Sequence, residues 1–492
     1  MNLNLTINQA KQFADEKYNI LPLSREIFSD IKTPVEVMRI LMEVSEHCFI
    51  LESAGDNENW GRYTFLGFNP KLSVTCKDGH IKISHMPENT DEVFETDNPD
   101  FYIRRILAEN RSPVLENMPP FTGGLVGYFA YDYLKYSEPV LKSNVPDREK
   151  FNDVDLMLFD KVIAFDNFRQ KIILIVNISL NNNLQDEYNY AEKELNKIEA
   201  LIKSGRSQKD FSCKLKSDFR KLFSKEDYCS MVKKAQEHII DGDIFQIVLS
   251  NRMEADFDGS LFNTYRVLRT LNPSPYMFYF SGTDIETAGA SPETLVKLHN
   301  GVLHTFPLAG TRKRGQTPED DKNLENELLN DPKELAEHDM LVDLGRNDLG
   351  RVCKFGTVEV EKYHEILRFS HVMHIGSTVR GVIRDDLDQL DAVNAILPAG
   401  TLSGAPKIKA CQLISEIEQD KRGIYGGAVG YIDFTGNLDL CIAIRIAYKK
   451  NNKVFVRSGA GIVADSVPEN EYQECLNKAG AVVEALKAAE GI

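Results

Sequence analysis

Two short segments of the chain are nearly identical, and both are rich in glycine. One reads Gly-Gly-Leu-Val-Gly-Tyr over residues 123–128, and the other reads Gly-Gly-Ala-Val-Gly-Tyr over residues 426–431. Glycine weakens a strand unless another backbone or a ligand must come close, or unless the strand bulges. Each segment is therefore predicted to be a strand that either faces a ligand or carries a bulge, and the sequence leaves both alternatives open.

The remaining pattern adds further strands, many of them adjacent hairpins, and several amphipathic helices. An apolar strand is predicted over 440–448, and helices are predicted over 225–240, 320–344, 406–418 and 468–489. Together they predict an α+β fold in which large antiparallel or mixed β-sheets are flanked by helices. A polar, basic stretch suggests a linker at 205–222, between an N-terminal regulatory or structural region (1–204) and a C-terminal catalytic region (223–492).

The charge balance excludes several classes of partner. With 58 Lys and Arg against 74 Asp and Glu, the net charge is −16, which disfavours nucleic acids and anionic membrane surfaces. No apolar run approaches the roughly 20 residues of a membrane span, and the N-terminus lacks the apolar core of a signal peptide. The eight cysteines form no Cys-x-x-Cys pair, so a cytoplasmic protein without a disulfide framework is expected.

Two glycine-rich segments resemble nucleotide-binding motifs but are incomplete. Gly459-Ala460-Gly461 follows a strand and precedes a helix, yet too little sequence follows it to build a βαβ unit. The segment 398–407 lacks the Gly-Lys-Ser/Thr ending of a P-loop. It is expected to place Ser403 or Gly404 at a helix N-cap, where free N–H groups would suit an anion.

Four carboxylates are predicted on two helices. Glu334 and Glu337 are three residues apart, as are Glu471 and Glu474, and Lys478 follows on the same helical face. Each pair alone is typical of a solvated helix face. Because both pairs lie beside segments rich in glycine and apolar residues, they are also candidates for a hard cation such as Mg²⁺, which prefers oxygen ligands.

Histidine and arginine occur where apolar residues are expected. His371 and His374 lie in Phe-Ser-His-Val-Met-His, and a histidine in an apolar strand is more often a structural donor than a catalyst. Arg445 lies in Cys-Ile-Ala-Ile-Arg-Ile-Ala, and a buried guanidinium needs an anionic partner, either an internal acid or a substrate carboxylate.

These segments, taken together, resemble those of the chorismate-utilising enzymes over nearly the whole length of the chain. Within that family the chain is most similar to the large subunits of anthranilate synthases. The motifs that carry the resemblance are Leu-Pro-Leu-Ser-Arg (21–25), Ile-Leu-Glu-Ser (50–53), Arg-Tyr-Thr-Phe-Leu-Gly (62–67), Asn-Pro-Ser-Pro-Tyr-Met (272–277), Ala-Ser-Pro-Glu (290–293), Pro-Leu-Ala-Gly-Thr (307–311), Ala-Glu-His (336–338), Asp-Leu-Gly-Arg-Asn-Asp (343–348) and the 398–407 loop.

The resemblance implies a site that binds the dicarboxylate chorismate through Mg²⁺. It implies Glu337 and Glu474 as metal ligands, supported by Glu334 and Glu471. Glu293 is expected to protonate the departing C4 hydroxyl, helped by His374 and crowded by other glutamates. The other residues that the resemblance assigns to catalysis or substrate binding are Gln246, Gly310, Thr311, Thr401, Tyr425, Arg445, Gly459, Ala460, Gly461 and Lys478.

Two positions indicate the branch of the family. Gln246 stands where isochorismate and salicylate synthases carry a lysine base, and a glutamine cannot deprotonate water. Ala309 stands where aminodeoxychorismate synthase carries a lysine nucleophile. Both favour direct addition of ammonia to chorismate, giving anthranilate and pyruvate. An aminodeoxychorismate synthase, or a non-catalytic tryptophan-sensing subunit, remains the alternative.

The resemblance also implies a partner and an inhibitor. The sequence contains no Gly-x-Cys-x-Gly segment of a glutamine amidotransferase, so a separate glutaminase subunit is expected to supply ammonia. L-Tryptophan is expected to inhibit by binding at Leu51, Glu52, Ser53, Pro275, Tyr276 and Met277. The single tryptophan of the chain, Trp60, lies between two of the N-terminal motifs and is a candidate fluorescence reporter of that site.

Overall fold

The structure is a computed structural model that describes residues 3–14, 17–54, 61–86, 88–368 and 372–492. Trp60 and His371, which the sequence singled out, lie outside the described residues. The helices of the described residues are α1 (Ile7–Ala14), α2 (Pro34–Val44), α3 (Asp100–Glu109), α4 (Leu134–Ser137), α5 (Leu184–Ser204), α6 (Lys225–Ile240), α7 (Phe262–Leu271), α8 (Pro318–Leu329), α9 (Pro332–Gly350), α10 (Gln389–Ile396), α11 (Lys407–Glu418) and α12 (Pro468–Ala488).

The strands are numbered in chain order. They are β1 (Ile20–Phe28), β2 (Cys48–Glu52), β3 (Tyr63–Phe68), β4 (Leu72–Lys77), β5 (His80–His85), β6 (Thr90–Glu95), β7 (Gly124–Phe129), β8 (Val154–Phe159), β9 (Lys161–Asp166), β10 (Lys171–Ser179), β11 (Cys213–Leu215), β12 (Arg220–Lys221), β13 (Gln246–Gly259), β14 (Tyr276–Ser281), β15 (Glu286–Ser291), β16 (Thr294–His299), β17 (Val302–Thr305), β18 (Leu308–Lys313), β19 (Glu359–Arg368), β20 (Val372–Val382), β21 (Gly404–Ala405), β22 (Ala428–Asp433), β23 (Leu438–Ile442), β24 (Ile446–Lys450) and β25 (Lys453–Ile462).

Within the described residues, these strands form two large antiparallel sheets. The first has 13 strands, in the order β1-β10-β9-β3-β2-β14-β15-β24-β25-β13-β11, with β12 and β21 also paired to β13. The second has 12 strands, in the order β18-β20-β17-β16-β23-β22-β7-β8-β4-β5-β6, with β19 paired to β20. The α+β prediction is confirmed.

Both sheets draw strands from both sides of the predicted linker. Pairs β2–β14 and β7–β22 join residues before 204 to residues after 223. The 205–222 segment itself supplies β11 and β12, which pair with β13. The boundaries at 204 and 223 therefore do not separate two structural units, because hydrogen-bonded ladders cross them. The assignment of regulation to one region and catalysis to the other stays a prediction.

The two sheets pack face to face, and helices cover their outer faces. Successive side chains of strand β10 point to opposite faces of the first sheet and therefore pack into two different cores. Ile173 and Ile175 point into an aromatic core shared by both sheets, whereas Ile172 and Leu174 point into a core shared with helices α2, α5, α7 and α12. Helices α3, α9 and α10 pack on the outer face of the second sheet.

The two glycine-rich segments lie side by side at the middle of the second sheet. Strands β7 and β22 pair without a register shift, and Gly127 lies opposite Gly430. A Cβ atom at Gly127 would lie 2.0 Å from the carbonyl oxygen of Asp155, and one at Gly430 would lie 2.1 Å from that of Asp439. The glycines are therefore required by the close approach of a neighbouring backbone, and the bulge alternative is wrong.

The helix predicted over 320–344 is two helices. Helix α8 ends at Leu329, and α9 begins at Pro332 with Asp331 as its N-cap, whose carboxylate accepts from the backbone N–H groups of Lys333 and Glu334. An Asp-Pro pair favours this break because aspartate caps a helix and proline suits its first position. None of the helices in the described part of the chain is long and apolar enough to cross a bilayer.

Candidate active site

The four carboxylates predicted on two helices are brought near one another. Glu334 and Glu337 lie on α9, Glu471 and Glu474 lie on α12, and Lys333 of α9 bridges to Asp465 ahead of α12 at 3.0 Å. Burial raises the pKa of Glu337, and the charges of Glu334 and Glu474 raise it further. Burial also raises the pKa of Glu471, again with a contribution from Glu474. The carboxylates therefore repel one another across the gap between the helices.

The donor set suits Mg²⁺, although it does not form a closed cage. Within the described residues no three His, Cys, Asp or Glu side chains are grouped closely enough to hold a metal ion by themselves. Mg²⁺ commonly takes only one or two protein carboxylates and completes its shell with water or substrate oxygens. Glu337 and Glu474 are the carboxylates that would hold it. Glu334 is engaged by Arg312 at 3.2 Å, and Glu474 by Lys478 at 2.7 Å.

Glu293 is held in the link between β15 and β16. Its Oε1 accepts a hydrogen bond of 3.0 Å from the hydroxyl of Thr401. Burial raises the pKa of Glu293 to about 7, against smaller lowering effects of Thr401 and Lys478. The glutamate crowding expected from the sequence is not the cause of this shift, since removal of the carboxyl from water produces it. A substantial fraction of Glu293 is therefore protonated at neutral pH, as a general acid requires.

His374 of β20 has a fixed ring orientation. Its Nδ1 lies 3.0 Å from the carbonyl oxygen of Gly310 and 3.0 Å from the hydroxyl of Thr311. Gly310 has φ +66° at a bulge in β18, a conformation that turns its carbonyl toward the ring. Burial lowers the pKa of His374, and the nearby charge of Arg445 lowers it further. A neutral imidazole with Nδ1 protonated is favoured, so Glu293 is the better proton donor of the two.

Arg445 does not lie within a strand, as the sequence predicted, but at a break between β23 and β24. Its φ is +50°, a value that is uncommon for a residue other than glycine. Arg445 adopts it where the chain passes from the second sheet to the first. The guanidinium donates to the side-chain oxygen of Asn272 at 3.2 Å. Burial lowers the pKa of Arg445.

Glycines on β25 give two side chains access to the backbone. A Cβ atom at Gly461 would lie 2.8 Å from the amide nitrogen of Gln246, and one at Gly459 would lie 3.0 Å from the hydroxyl of Tyr425. Strands β13 and β25 are paired, with Leu249 opposite Ala460. The structure thus places three of the expected residues in β25 and two more, Gln246 and Tyr425, against it. Burial raises the pKa of Tyr425, which keeps its hydroxyl protonated as a donor.

The loop that carries Thr401 is clamped by an ion pair that sequence reasoning missed. Lys407 donates to Asp348 of α9 at 2.6 Å and to the carbonyl oxygen of Ile396 at 2.9 Å. Asp348 and Lys407 each belong to a motif that carries the family resemblance, but the sequence alone did not indicate a role for either residue. Ser403 is buried and donates to the carbonyl oxygen of Ala399, and Pro406 is the N-cap of α11. The predicted N-cap at Ser403 or Gly404 is wrong, because these residues are held in the loop and in β21.

The six residues predicted for tryptophan lie on and beside two paired strands. Leu51 and Glu52 of β2 lie opposite Phe278 and Met277 of β14. Ser53 and Pro275 flank these strands, and the backbone N–H of Ala54 donates to the carbonyl oxygen of Ser274. The Glu52 carboxylate accepts from Arg269 and Tyr265.

Tyr276 connects these strands to the residue that follows Glu293. Its hydroxyl lies 2.9 Å from that of Thr294, the residue after Glu293, and 2.8 Å from the carboxylate of Asp439. The predicted regulatory residues therefore contact the neighbours of a predicted catalytic one.

Comparison with known proteins identifies the family. The sequence profile described as chorismate binding enzyme matches residues 46–484. The chain belongs to this family of chorismate-binding enzymes, and the family prediction is confirmed.

Relatives narrow the similarity further. The chain is 45% identical to "Anthranilate synthase component 1" of Acetivibrio thermocellus, covering 98% of each chain, and 45% identical to the protein of that name from Aquifex aeolicus, covering 100% and 99%. The crystal structure of anthranilate synthase component I from Streptococcus pneumoniae matches with a TM-score of 0.76 at 36% identity, over 86% of this chain and 92% of that one. An isochorismate synthase from Escherichia coli, 18% identical with a TM-score of 0.68 and 98% coverage of both chains, shares the fold.

Proposed function

We propose that the chain is the large, chorismate-converting subunit of an anthranilate synthase, in the first committed step of tryptophan biosynthesis. It converts chorismate and ammonia to anthranilate and pyruvate. Full-length identity of 45% to proteins named anthranilate synthase component 1 supports this function. The motifs that carry the resemblance include residues of the site described above, among them Glu293, Thr311 and Glu337.

The side chains divide the work of the reaction. Arg445 and Lys478 attract the two carboxylates of chorismate, against an overall charge of −16. Glu293 donates its proton to the departing C4 hydroxyl as ammonia adds at C2, and Thr401 holds the Glu293 carboxyl in place. Mg²⁺, when bound by Glu337 and Glu474, would neutralise charge on the substrate carboxylate.

One observation carries the choice of reaction. The site contains a carboxyl with a pKa of about 7, Glu293, but it has a neutral Gln246 and an apolar Ala309 where other branches carry lysine. An acid without a base at position 246 or a nucleophile at position 309 suits a reagent that is already nucleophilic. Ammonia meets this requirement, and water does not.

The decisive experiment follows anthranilate by its fluorescence. The purified chain, given chorismate, Mg²⁺ and ammonium at high pH, is expected to form anthranilate, and omission of Mg²⁺ is expected to abolish the signal. Accumulation of a stable aminodeoxychorismate without anthranilate would instead support the aminodeoxychorismate branch.

We infer that ammonia reaches the site from a separate glutamine amidotransferase subunit in the cytoplasm. The sequence has no amidotransferase nucleophile motif, and "component 1" in the names of the relatives implies a second component. Glutamine should therefore support activity only when that partner is added. Glutamine-dependent activity of the rigorously purified single chain contradicts this assignment.

We further infer feedback inhibition by L-tryptophan at strands β2 and β14. The contact of Tyr276 with Thr294 supports a link between this region and Glu293. Replacing Ser53 by Phe should retain catalysis and abolish inhibition. Unchanged inhibition of that variant would remove these strands as the binding site.

A further inference from the structure

Arg445, which is partly buried, differs in its partner from the buried arginines Arg252, Arg422 and Arg457, each of which contacts a carboxylate. Arg445 donates to Asn272, an uncharged amide, at 3.2 Å. Among the residues that the structure describes, no carboxylate oxygen lies within 4.0 Å of this guanidinium, although the chain carries 74 acids. The positive charge of Arg445 is therefore oriented but not neutralised.

The Asn272 side chain has only one orientation that satisfies its contacts. Its amide nitrogen donates to the hydroxyl oxygen of Ser274 at 3.3 Å, and the Ser274 hydroxyl donates back to the backbone carbonyl of Asn272 at 3.1 Å. The Ser274 proton is thereby committed, so its oxygen accepts. An arginine can only donate, which requires the amide oxygen of Asn272 to face Arg445.

Asn272 is also fixed through its backbone. It is the C-cap of α7, and its N–H donates to the carbonyl oxygen of Leu268 at 2.9 Å. A helix end thus supports an acceptor that meets the guanidinium at the break between β23 and β24. The other guanidinium N–H groups of Arg445 have no acceptor among the described residues, so they are available to a ligand.

We propose that Asn272 is a positioning residue that orients the Arg445 guanidinium toward a carboxylate of the substrate while leaving its charge uncompensated. An aspartate at the same place would hold the guanidinium equally well but would compete with the substrate for its charge. The inference rests on the proposed function, since it takes an anionic substrate at Arg445.

The test compares an aspartate with an alanine at this position. In the ammonium-dependent assay, Asn272→Asp should raise the KM for chorismate about tenfold or more, with kcat within about threefold of the wild type. Asn272→Ala removes the anchor but adds no charge, so its KM should rise less. Asn110→Asp is the matched control, because Asn110 is the C-cap of α3 and its side chain donates to the carbonyl oxygen of Ile106.

The ratio of the two KM values decides the outcome. A merely structural role would lower the melting temperature and make the alanine variant at least as impaired as the aspartate variant, which would overturn the proposal. A wild-type KM in Asn272→Asp would also overturn it. If Asn272→Asp fails to fold, a raised KM with unchanged kcat in Asn272→Ala supports the positioning role, and an unchanged KM overturns it. A wild-type chain that does not convert chorismate would refute the proposed function instead.

Discussion

Glutamates and arginines form ion pairs with one another in one region of this molecule, whereas in a second region they are hydrogen-bonded to uncharged side chains. In the core beneath the site, Glu418 is bonded to Arg422 at 2.5 Å and to Arg457 at 2.9 Å. Burial alone would raise the pKa of Glu418, but these arginines outweigh it and hold the pKa below its ordinary value. In the site, Glu293 has Thr401 as its hydrogen-bond partner, and burial raises its pKa to about 7.

The arginines show the same contrast. Burial would lower the pKa of Arg422, but Glu418 raises it. Burial lowers the pKa of Arg445, and no carboxylate in the described part of the chain opposes that effect. Glu418, Arg422 and Arg457 are paired with one another within the chain, whereas Glu293 and Arg445, which we propose serve the reaction, are each hydrogen-bonded to an uncharged side chain. Burial alone therefore does not distinguish a functional charged group from a structural one. What distinguishes them is whether the group has an oppositely charged partner within the chain.

The largest effect, on stability, is expected from breaking the buried ion pairs of Glu418 with Arg422 and Arg457. Glu418→Gln leaves two fully buried guanidinium groups without their carboxylate, and it should lower the free energy of unfolding by about 3–5 kcal/mol. Denaturant unfolding measures the loss, and Glu416→Gln, an exposed site on the same helix, is the control. Equal stability of the two variants would show that the core does not depend on this pairing.

Activity should fall as well in Glu418→Gln. Arg422 donates to the carbonyl oxygen of Leu402, in the turn that carries Thr401, at 2.6 Å. Without the Glu418 carboxylate, Arg422 no longer has a fixed position, and the turn that it holds can move. Thr401 would then hold Glu293 less firmly, which should lower kcat in the ammonium-dependent assay.

The next effect is catalytic. Glu293→Gln keeps the shape of the side chain but removes the transferable proton, so kcat should fall by about 10²–10³-fold. Because Glu293 forms no ion pair among the described residues, the variant should unfold no more easily than the wild type. Steady-state assays and melting curves are compared with those of Glu469→Gln, an exposed glutamate on α12. A kcat within about threefold of the wild type would remove Glu293 from the acid role.

A smaller effect is expected in the pH dependence of stability. The pKa of Glu293 is about 7 in the folded chain, against an ordinary value of 4.5. Its contribution to stability is fully present below pH 4.5 and is lost as the pH rises through about 7. Relative to the wild type, Glu293→Gln should therefore gain about 1–3 kcal/mol between these limits. Urea unfolding at a series of pH values tests this, and parallel curves for the two proteins would contradict it.

How far the sequence predicts this arrangement depends on whether the partners are close along the chain. The motifs identify the family, the two carboxylate helices and the residues around Glu293, since each is a local pattern. The Asp-Pro pair that divides α8 from α9 is also a local pattern, but the prediction of one helix over 320–344 overlooked it. The break at Arg445 is not a local pattern, because Cys-Ile-Ala-Ile-Arg-Ile-Ala has a continuous strand pattern and only the passage between two sheets interrupts it.

Pairs of side chains that are far apart along the chain could not be predicted from the sequence. Arg457 meets Glu418 across 39 residues, and Asn272 meets Arg445 across 173. Nothing in the neighbouring residues distinguishes the arginine that has a carboxylate partner from the one that does not. The distinction between structural and substrate-binding arginines therefore required the fold.

The smallest effect is expected from an exposed ion pair, and it isolates burial as the cause of the contrast. Lys333 meets Asp465 at 3.0 Å, nearly the 2.9 Å between Arg457 and Glu418, but its two side chains are 67% and 69% exposed, whereas both core side chains are fully buried. Water screens exposed pairs, and many contribute nothing measurable to stability. Asp465→Asn should leave the melting temperature unchanged within error. A loss comparable to that of Glu418→Gln would show that contact distance, rather than burial, sets the strength of ion pairs in this chain.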